Sequence, residues 1–239
     1  MTSELRTEHL YYEDTYLFEC TAKVLHISEA DADAGTQIVV TDRTVMHPQG
    51  GGQPSDVGTI ASKDGSCVFE VSHVQKTARD SEYVQHVGKY RPDSVGSFGD
   101  DPVIISINEE RRRLNARLHS AGHLLDSAFE KIGWTQDQLV PNKGYHFPDG
   151  PYVEYTGNIP PEERGKVIEQ LNDSSNALVK MDIPVSVAKD EKGGRIVNVG
   201  GTKCPCGGTH VKSTGEIGCI RATKITKKKK IIRVSYVVE

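Results

Sequence analysis

His119 and His123 stand four residues apart in a stretch of helical periodicity, so one turn of α-helix puts both imidazoles on the same face, close enough to share a metal. The spacing is that of a zinc-protease helix. Ser120, however, follows the first histidine where that chemistry needs a glutamate as base, and a protease of that type is excluded. Far downstream, Cys206-Gly207-Gly208-Thr209-His210 offers a second ligand pair in a glycine-rich loop that can bend both side chains toward one point. Together the four make a tetrahedral nitrogen-and-sulfur set that suits zinc by softness and geometry. Cys204 is the alternative sulfur, although Pro205 stiffens the link and a Cys-x-Cys pair closes one tetrahedron poorly. Four protein ligands ordinarily describe a closed structural site, whereas catalysis needs an open position. The sequence leaves three choices open: a loose ligand, an expanding coordination sphere, or a metal that only orients substrate.

The ligands need a long helix and a return loop to carry them. Asn108 is a plausible N-cap, Glu109 and Glu110 suit the first turn, and Leu114, Leu118, Ala121, Leu125, Ala128 and Ile132 follow at helical spacing before Gly133, which predicts a helix over 109–132. Ahead of it, short β-branched runs (18–27, 37–41, 58–61, 67–73, 83–87) broken by Gly, Asp and Ser predict a small β-barrel or sandwich. A Gly/Ser/Asp/Pro cluster over 96–102 sets the expected boundary, giving domains 1–100 and 101–239. Beyond the helix, a β-rich stretch over 145–155 and a second helix opened by Pro160-Pro161 precede strands at 183–188, 196–199, 218–225 and 231–238. The fold class expected is α+β: an N-terminal β-barrel, then an antiparallel sheet with a long ligand-bearing helix.

A further motif, Pro48-Gln49-Gly50-Gly51-Gly52-Gln53-Pro54-Ser55-Asp56, permits close backbone approach and projects Gln53 and Asp56, without the spacing of a phosphate loop. The net charge of −4 hides an asymmetry, with 8 basic against 16 acidic residues over 1–100 and 21 against 17 over 101–239. The excess collects in Arg221, Lys224, Lys227, Lys228, Lys229, Lys230 and Arg233, which suits either a polyanion or a solvated hairpin turn. No long apolar run or secretory leader is evident, and five cysteines crowd no even framework, so the expectation is a cytoplasmic protein without membrane contact.

Arg117-Leu118-His119-Ser120-Ala121-Gly122-His123-Leu124-Leu125, then Cys206-Gly207-Gly208-Thr209-His210-Val211 with Thr214-Gly215-Glu216-Ile217-Gly218, and Gly50–Asp56 upstream, resemble the editing domain of alanyl-tRNA synthetase and its free-standing relatives. Three motifs in the right order, spread over nearly all residues from Leu10, carry the resemblance. It implies a zinc-dependent hydrolase, acting in trans and without ATP, that deacylates tRNA(Ala) mischarged with serine or glycine. Such a second site is needed because a pocket for alanine cannot exclude glycine and rejects serine weakly. By the resemblance His119, His123, Cys206 and His210 hold zinc, while Thr44 senses the serine hydroxyl. Gln53, Asp56, Asn142 and Thr209 line the substrate pocket; where the family often has Gln before a Lys-Gly pair, this chain has Asn142. Arg111, Arg112, Arg117 and Lys227, Lys228, Lys229 and Lys230 would hold tRNA phosphates. The competing classes are a non-catalytic zinc-stabilised RNA-binding adaptor and a metal-dependent amidase or esterase for small molecules. Nothing in the sequence sets the oligomeric state.

Overall fold

The computed structural model describes residues 5–31, 35–78 and 81–239. The chain divides into two compact units, the first made of residues up to Gly50 with Pro54–Arg113, the second of Gly51–Gln53 with Leu114–Glu239.

In the first unit β1 (Glu8–His9), β2 (Glu19–Ala22), β3 (Val24–Asp31), β4 (Thr36–Thr41), β5 (Arg43–Thr44), β6 (Gly58–Ser62), β7 (Val68–Gln75), β8 (Gln85–Tyr90) and β9 (Val103–Ile107) follow in order. β1 and β5 make a short parallel pair, and the other seven form one antiparallel sheet in the order β2-β9-β6-β7-β8-β4-β3. Alternation drives it: along β7, Phe69 and Val71 point into the core and Glu70 and Ser72 outward, until a bulge between Val71 and His73 shifts the phase so that Val74 is buried. Val39, Ile60, Phe69, Val74, Val84 and Ile105 fill the core.

The closed barrel expected from the strand run is not formed by hydrogen bonding: among the described residues no ladder joins the edge strands β2 and β3. The two edges are consecutive in the chain, separated by Lys23 alone, so the sheet begins and ends on one bent run that cannot pair with itself. Asp42 holds the bend, its Oδ1 accepting the Lys23 N–H at 2.7 Å and its own N–H donating to the Lys23 carbonyl at 3.0 Å.

Thr44 and Asp56 are wholly buried here, each in a polar network of its own. The Thr44 hydroxyl lies 2.8 Å from His86 Nε2 and accepts the Met46 N–H at 3.0 Å. Because His86 Nδ1 must donate to the Val39 carbonyl, Nε2 accepts the Thr44 proton, and one lone pair of the threonine oxygen stays unspent. Burial pushes His86 down to about 4. The folded state therefore resists a proton that the unfolded chain takes up below its ordinary value near 6.5. Stability present above pH 6.5 is lost as the pH falls toward 4, by about 3 kcal/mol. Denaturant titrations from pH 7 to pH 4 should show that loss, and His86→Phe should flatten it.

Arg112, expected to contact phosphate, is instead wholly buried. Its Nε lies 3.2 Å from both Asp56 oxygens, Nη2 pairs with Asp56 Oδ2 at 2.5 Å and also with the Val45 carbonyl, and Nη1 donates to the Thr15 carbonyl at 2.8 Å. Asp56 also accepts the His47 N–H at 2.6 Å. A guanidinium buried and paired in this way is not presented to a nucleic acid.

Helix α1 (Glu109–Lys131) starts as expected, Asn108 Oδ1 accepting the Arg111 N–H at 2.8 Å. After it come β10 (Leu139–Tyr145), β11 (Tyr152–Gly157), α2 (Arg164–Lys180), β12 (Ser186–Lys189), β13 (Arg195–Val199), β14 (Thr202–Pro205), β15 (Ile220–Lys228) and β16 (Ile231–Val238). One antiparallel sheet runs β10-β11-β16-β15 and a smaller one β12-β13-β14. Leu118, Leu125 and Ala128 of α1 pack with Leu171 and Leu178 of α2 and Ile232 and Val234 of β16. Asn172 and Asn176 of α2 satisfy the edge of β15, accepting the N–H groups of Ala222 at 2.7 Å and Ile220 at 3.0 Å. The architecture is α+β with mostly antiparallel sheets, and among the described residues no helix is long and apolar enough to cross a membrane.

Candidate metal centre

α1 presents His119 and His123 with their rings 5.0 Å apart, and the loop after β14 returns Cys206 and His210 to meet them. One donor atom from each of the four lies within 4.8 Å of every other. Cys206 Sγ is 3.4 Å from His119 Nε2 and 3.3 Å from His210 Nε2. A tetrahedral zinc with ordinary Zn–S and Zn–N bonds has a sulfur-to-nitrogen edge of about 3.5 Å, so the spacing fits such an ion. His123 Nε2 is buried without a partner, as expected of an atom kept for a ligand.

The far side of each ligand is held. His119 Nδ1 donates to Gln53 Oε1 at 2.7 Å, an oxygen that also accepts the Thr209 N–H at 3.0 Å, while Gln53 Nε2 donates to Thr209 Oγ1 at 2.9 Å. His123 Nδ1 meets Cys204 Sγ at 3.2 Å, and His210 Nδ1 meets Ser120 Oγ at 3.3 Å. Cys206 Sγ accepts the Gly208 N–H at 3.4 Å. These bonds turn Nε2 of all three histidines inward, the arrangement that orients metal ligands. Cys204, the alternative sulfur, thus braces a ligand from behind instead of joining the set. Arg195 clamps the loop, Nη1 donating to the carbonyls of Cys206 at 2.7 Å and Gly208 at 3.1 Å. Gly208 has no room for more: a Cβ there would stand 2.0 Å from His119 Cε1.

Burial pushes the Cys206 thiol up and draws His123 down to about 4, so both sit in their neutral forms. A divalent cation would reverse the balance at the thiol. Gln53→Met keeps the volume but strands the two donors that Oε1 receives. It should weaken zinc binding about 10- to 100-fold, measured by competition with a calibrated chelator.

The remaining expected site residues fall in several places. Thr209 is buried on Gln53. Asn142 is exposed at the bulge where the β10–β11 register shifts between Pro141 and Lys143. Arg111 is exposed at the start of α1, and Arg117 is half-buried, donating to the carbonyls of Ile217 at 2.9 Å and Glu239 at 2.8 Å. Lys227 and Lys228 end β15, with Lys227 Nζ on Asn158 Oδ1 at 2.5 Å, and Lys229 and Lys230 form the exposed turn to β16. Sequence reasoning passed over Ser120 and Cys204 as braces, and missed Arg195, His146 and Tyr236. The position of Ser120 between the two histidines was a signal. Nothing local marks the other three.

A helix and a glycine loop bring four side chains that could hold a metal ion to one point within an antiparallel α+β unit. The family described as "Threonyl and Alanyl tRNA synthetase second additional domain" matches residues 195–234, and "tRNA synthetases class II (A)" matches residues 2–111. The chain is 31% identical to alanyl-tRNA editing protein AlaX-M of Methanosarcina barkeri, over 96% of this chain and 98% of that protein. It is 30% identical to AlaX-L of Pyrococcus horikoshii, over 93% of this chain and 55% of that protein. Against alanine–tRNA ligase of Pyrobaculum arsenaticum it is 30% identical, again over 93% of this chain but only 26% of the ligase. It therefore spans about half of AlaX-L, a quarter of the ligase and nearly all of AlaX-M. This chain belongs to the alanyl-tRNA editing protein family.

Proposed function

We propose that this protein is a trans-acting, zinc-dependent hydrolase that removes the wrong amino acid from tRNA(Ala), chiefly serine and also glycine, without ATP and in the cytoplasm. The convergence of His119, His123, Cys206 and His210 on one point carries this reading, and the names of the AlaX relatives support it. In the reaction a water oxygen adds to the ester carbonyl, the bond to the terminal ribose oxygen breaks, that oxygen takes a proton, and free amino acid leaves. A zinc ion at the site supplies Lewis acidity, polarising the carbonyl or lowering the pKa of a water. The chain's part is to hold the ligand nitrogens in one tautomer through Gln53, Cys204 and Ser120 and to fix the substrate for attack.

Residues 101–239 are assigned the metal and the chemistry, and residues 1–100 the N-terminal domain. Thr44 is assigned the serine hydroxyl: its own proton is committed to His86, so its free lone pair is an acceptor that alanine cannot use. Gln53 and Thr209 shape the pocket from the ligand side, Asp56 fixes the segment after the glycine run, and Asn142 reaches substrate from its bulge. Exposed Arg111 and the Lys227–Lys230 tract, with Arg117 beside the ligand helix, take tRNA phosphates, which makes binding salt-sensitive.

Deacylation of seryl-, glycyl- and alanyl-tRNA(Ala) in parallel tests the reading. Serine and glycine should be released faster than alanine, and free serine esters should be ignored. Binding of the tRNA with no release of amino acid would replace the hydrolase by an adaptor, and equal turnover of free esters would replace it by a general esterase.

A further inference from the structure

The polar atoms that brace the four ligands are spent on them, but one imidazole beside the set is not. His146, 4% exposed, stacks on His119 with ring centroids 4.6 Å apart and lies 6.3 Å from the His123 ring. Its backbone N–H donates to the Gly52 carbonyl at 2.8 Å. The Tyr236 hydroxyl donates its only proton to the Leu118 carbonyl at 2.8 Å, so in its 2.7 Å contact with His146 Nδ1 it can only accept. Nδ1 therefore carries a hydrogen, and in the neutral ring Nε2 keeps a lone pair.

Glycines at three positions border this ring: at Gly122 and Gly144 an added side chain would run into it, while at Gly52 the nearer obstacle is the Gly144 carbonyl. A Cβ at Gly122 would stand 2.3 Å from Cε1, one at Gly144 2.2 Å from Nε2, and one at Gly52 3.2 Å from Cδ2. A phenyl ring would fill the same space without burying a polar nitrogen. The fold instead holds an imidazole stacked on a ligand ring and fixes its tautomer through Tyr236, which leaves Nε2 as the acceptor.

Resting on the reading that the substrate is an aminoacyl ester, we propose that His146 Nε2 contacts substrate, accepting a hydrogen bond from the α-amino group of the aminoacyl moiety. That group is the donor nearest the scissile carbonyl and is common to every amino acid the site would clear. An ammonium brought close to a divalent cation needs a neutral acceptor at its side, and the lock on Nδ1 provides one. Selection for the serine hydroxyl is then a separate contact.

The experiment measures equilibrium binding, to the zinc-loaded protein, of two non-hydrolysable mimics of the charged tRNA end: 3′-(L-serylamino)-3′-deoxyadenosine and its 3-hydroxypropanoyl counterpart, which lacks the amine. Wild type should prefer the amine about 10- to 100-fold. His146→Asn can still donate to Tyr236 but has no atom at the Nε2 position. It should abolish the preference in protein that stays folded by circular dichroism, while leaving zinc content and affinity for the amine-free mimic unchanged. His146→Gln, whose amide oxygen reaches that position, should restore part of it. An unchanged preference in His146→Asn overturns the proposal, as does a loss that tracks zinc loss, which would make the ring a purely structural support. A fall in kcat with the preference intact also overturns it, pointing to the attacking water instead. If wild type releases no serine from seryl-tRNA(Ala), the hydrolase reading itself fails, whatever the variants do.

Discussion

Replacing His119 with alanine is expected to leave the protein folded, empty of zinc and inactive on seryl-tRNA(Ala). His119 is held on several sides: its Nε2 faces Cys206 Sγ, its Nδ1 is held by Gln53, and its ring stacks on His146 and lies tilted against His210. Its removal takes one corner from the tetrahedron and leaves Gln53 Oε1 short of a donor. The remaining ligands should bind zinc orders of magnitude more weakly. If the ion provides several kcal/mol of charge stabilisation, deacylation should fall by about a thousandfold or more. Metal analysis of the purified variant, beside single-turnover deacylation, measures both. A strong chelator should reproduce the loss in wild type, and added zinc should restore wild type but not the variant. A His119→Ala protein that kept half of its activity would remove the metal from the chemistry.

Asp56→Ala should cause the largest loss of stability of any single change considered. It leaves the Arg112 guanidinium with no anion, in a position where neither partner has access to water, their side chains being 0% and 1% exposed. Arginine cannot escape by losing its proton. Breaking a buried pair on one side costs about 3–5 kcal/mol, and the His47 N–H loses its acceptor as well. The melting temperature should fall by about 10 °C or more, read by circular dichroism or scanning calorimetry. The double variant Asp56→Leu with Arg112→Met should recover the part of that loss due to the unpaired charge, while the His47 N–H and the carbonyls of Val45 and Thr15 still lose their side-chain partners. A double variant as unstable as Asp56→Ala would show that the pair is needed for its shape and not for its charge balance.

Both predictions concern residues the sequence had marked; the structure brings His119 to the other three candidate ligands and sets Asp56 against Arg112. The ligand quartet was legible because it is written in local rules: a four-residue interval on a helix, and a glycine loop whose cysteine and histidine have the right softness for one ion. The start of α1 at Asn108 and the Asp/Gly punctuation of the first strands were legible for the same reason, since caps and turns are set by near neighbours.

Arg112 shows where that reasoning stops. In sequence it is one of three consecutive arginines at a helix start, indistinguishable from Arg111 and Arg113. Only the packing of Thr15, Val45 and Asp56 around one side chain turns it inward, while Arg111 is left exposed and Arg113 pairs with Glu109 over the ring of Tyr16. His146 is the same case within the ligand unit, a residue of a β-rich stretch until Gly52, Gly122 and Tyr236 close around it from three distant points of the chain. By itself the sequence determined which side chains can bind a metal and which elements carry them, because donor chemistry and local periodicity are properties of the residues. Tertiary structure decided which nitrogen of each histidine faces inward, which charges are buried, and whether the sheet's edges meet. Those outcomes depend on long-range contacts and on the water they exclude, and no local pattern encodes either.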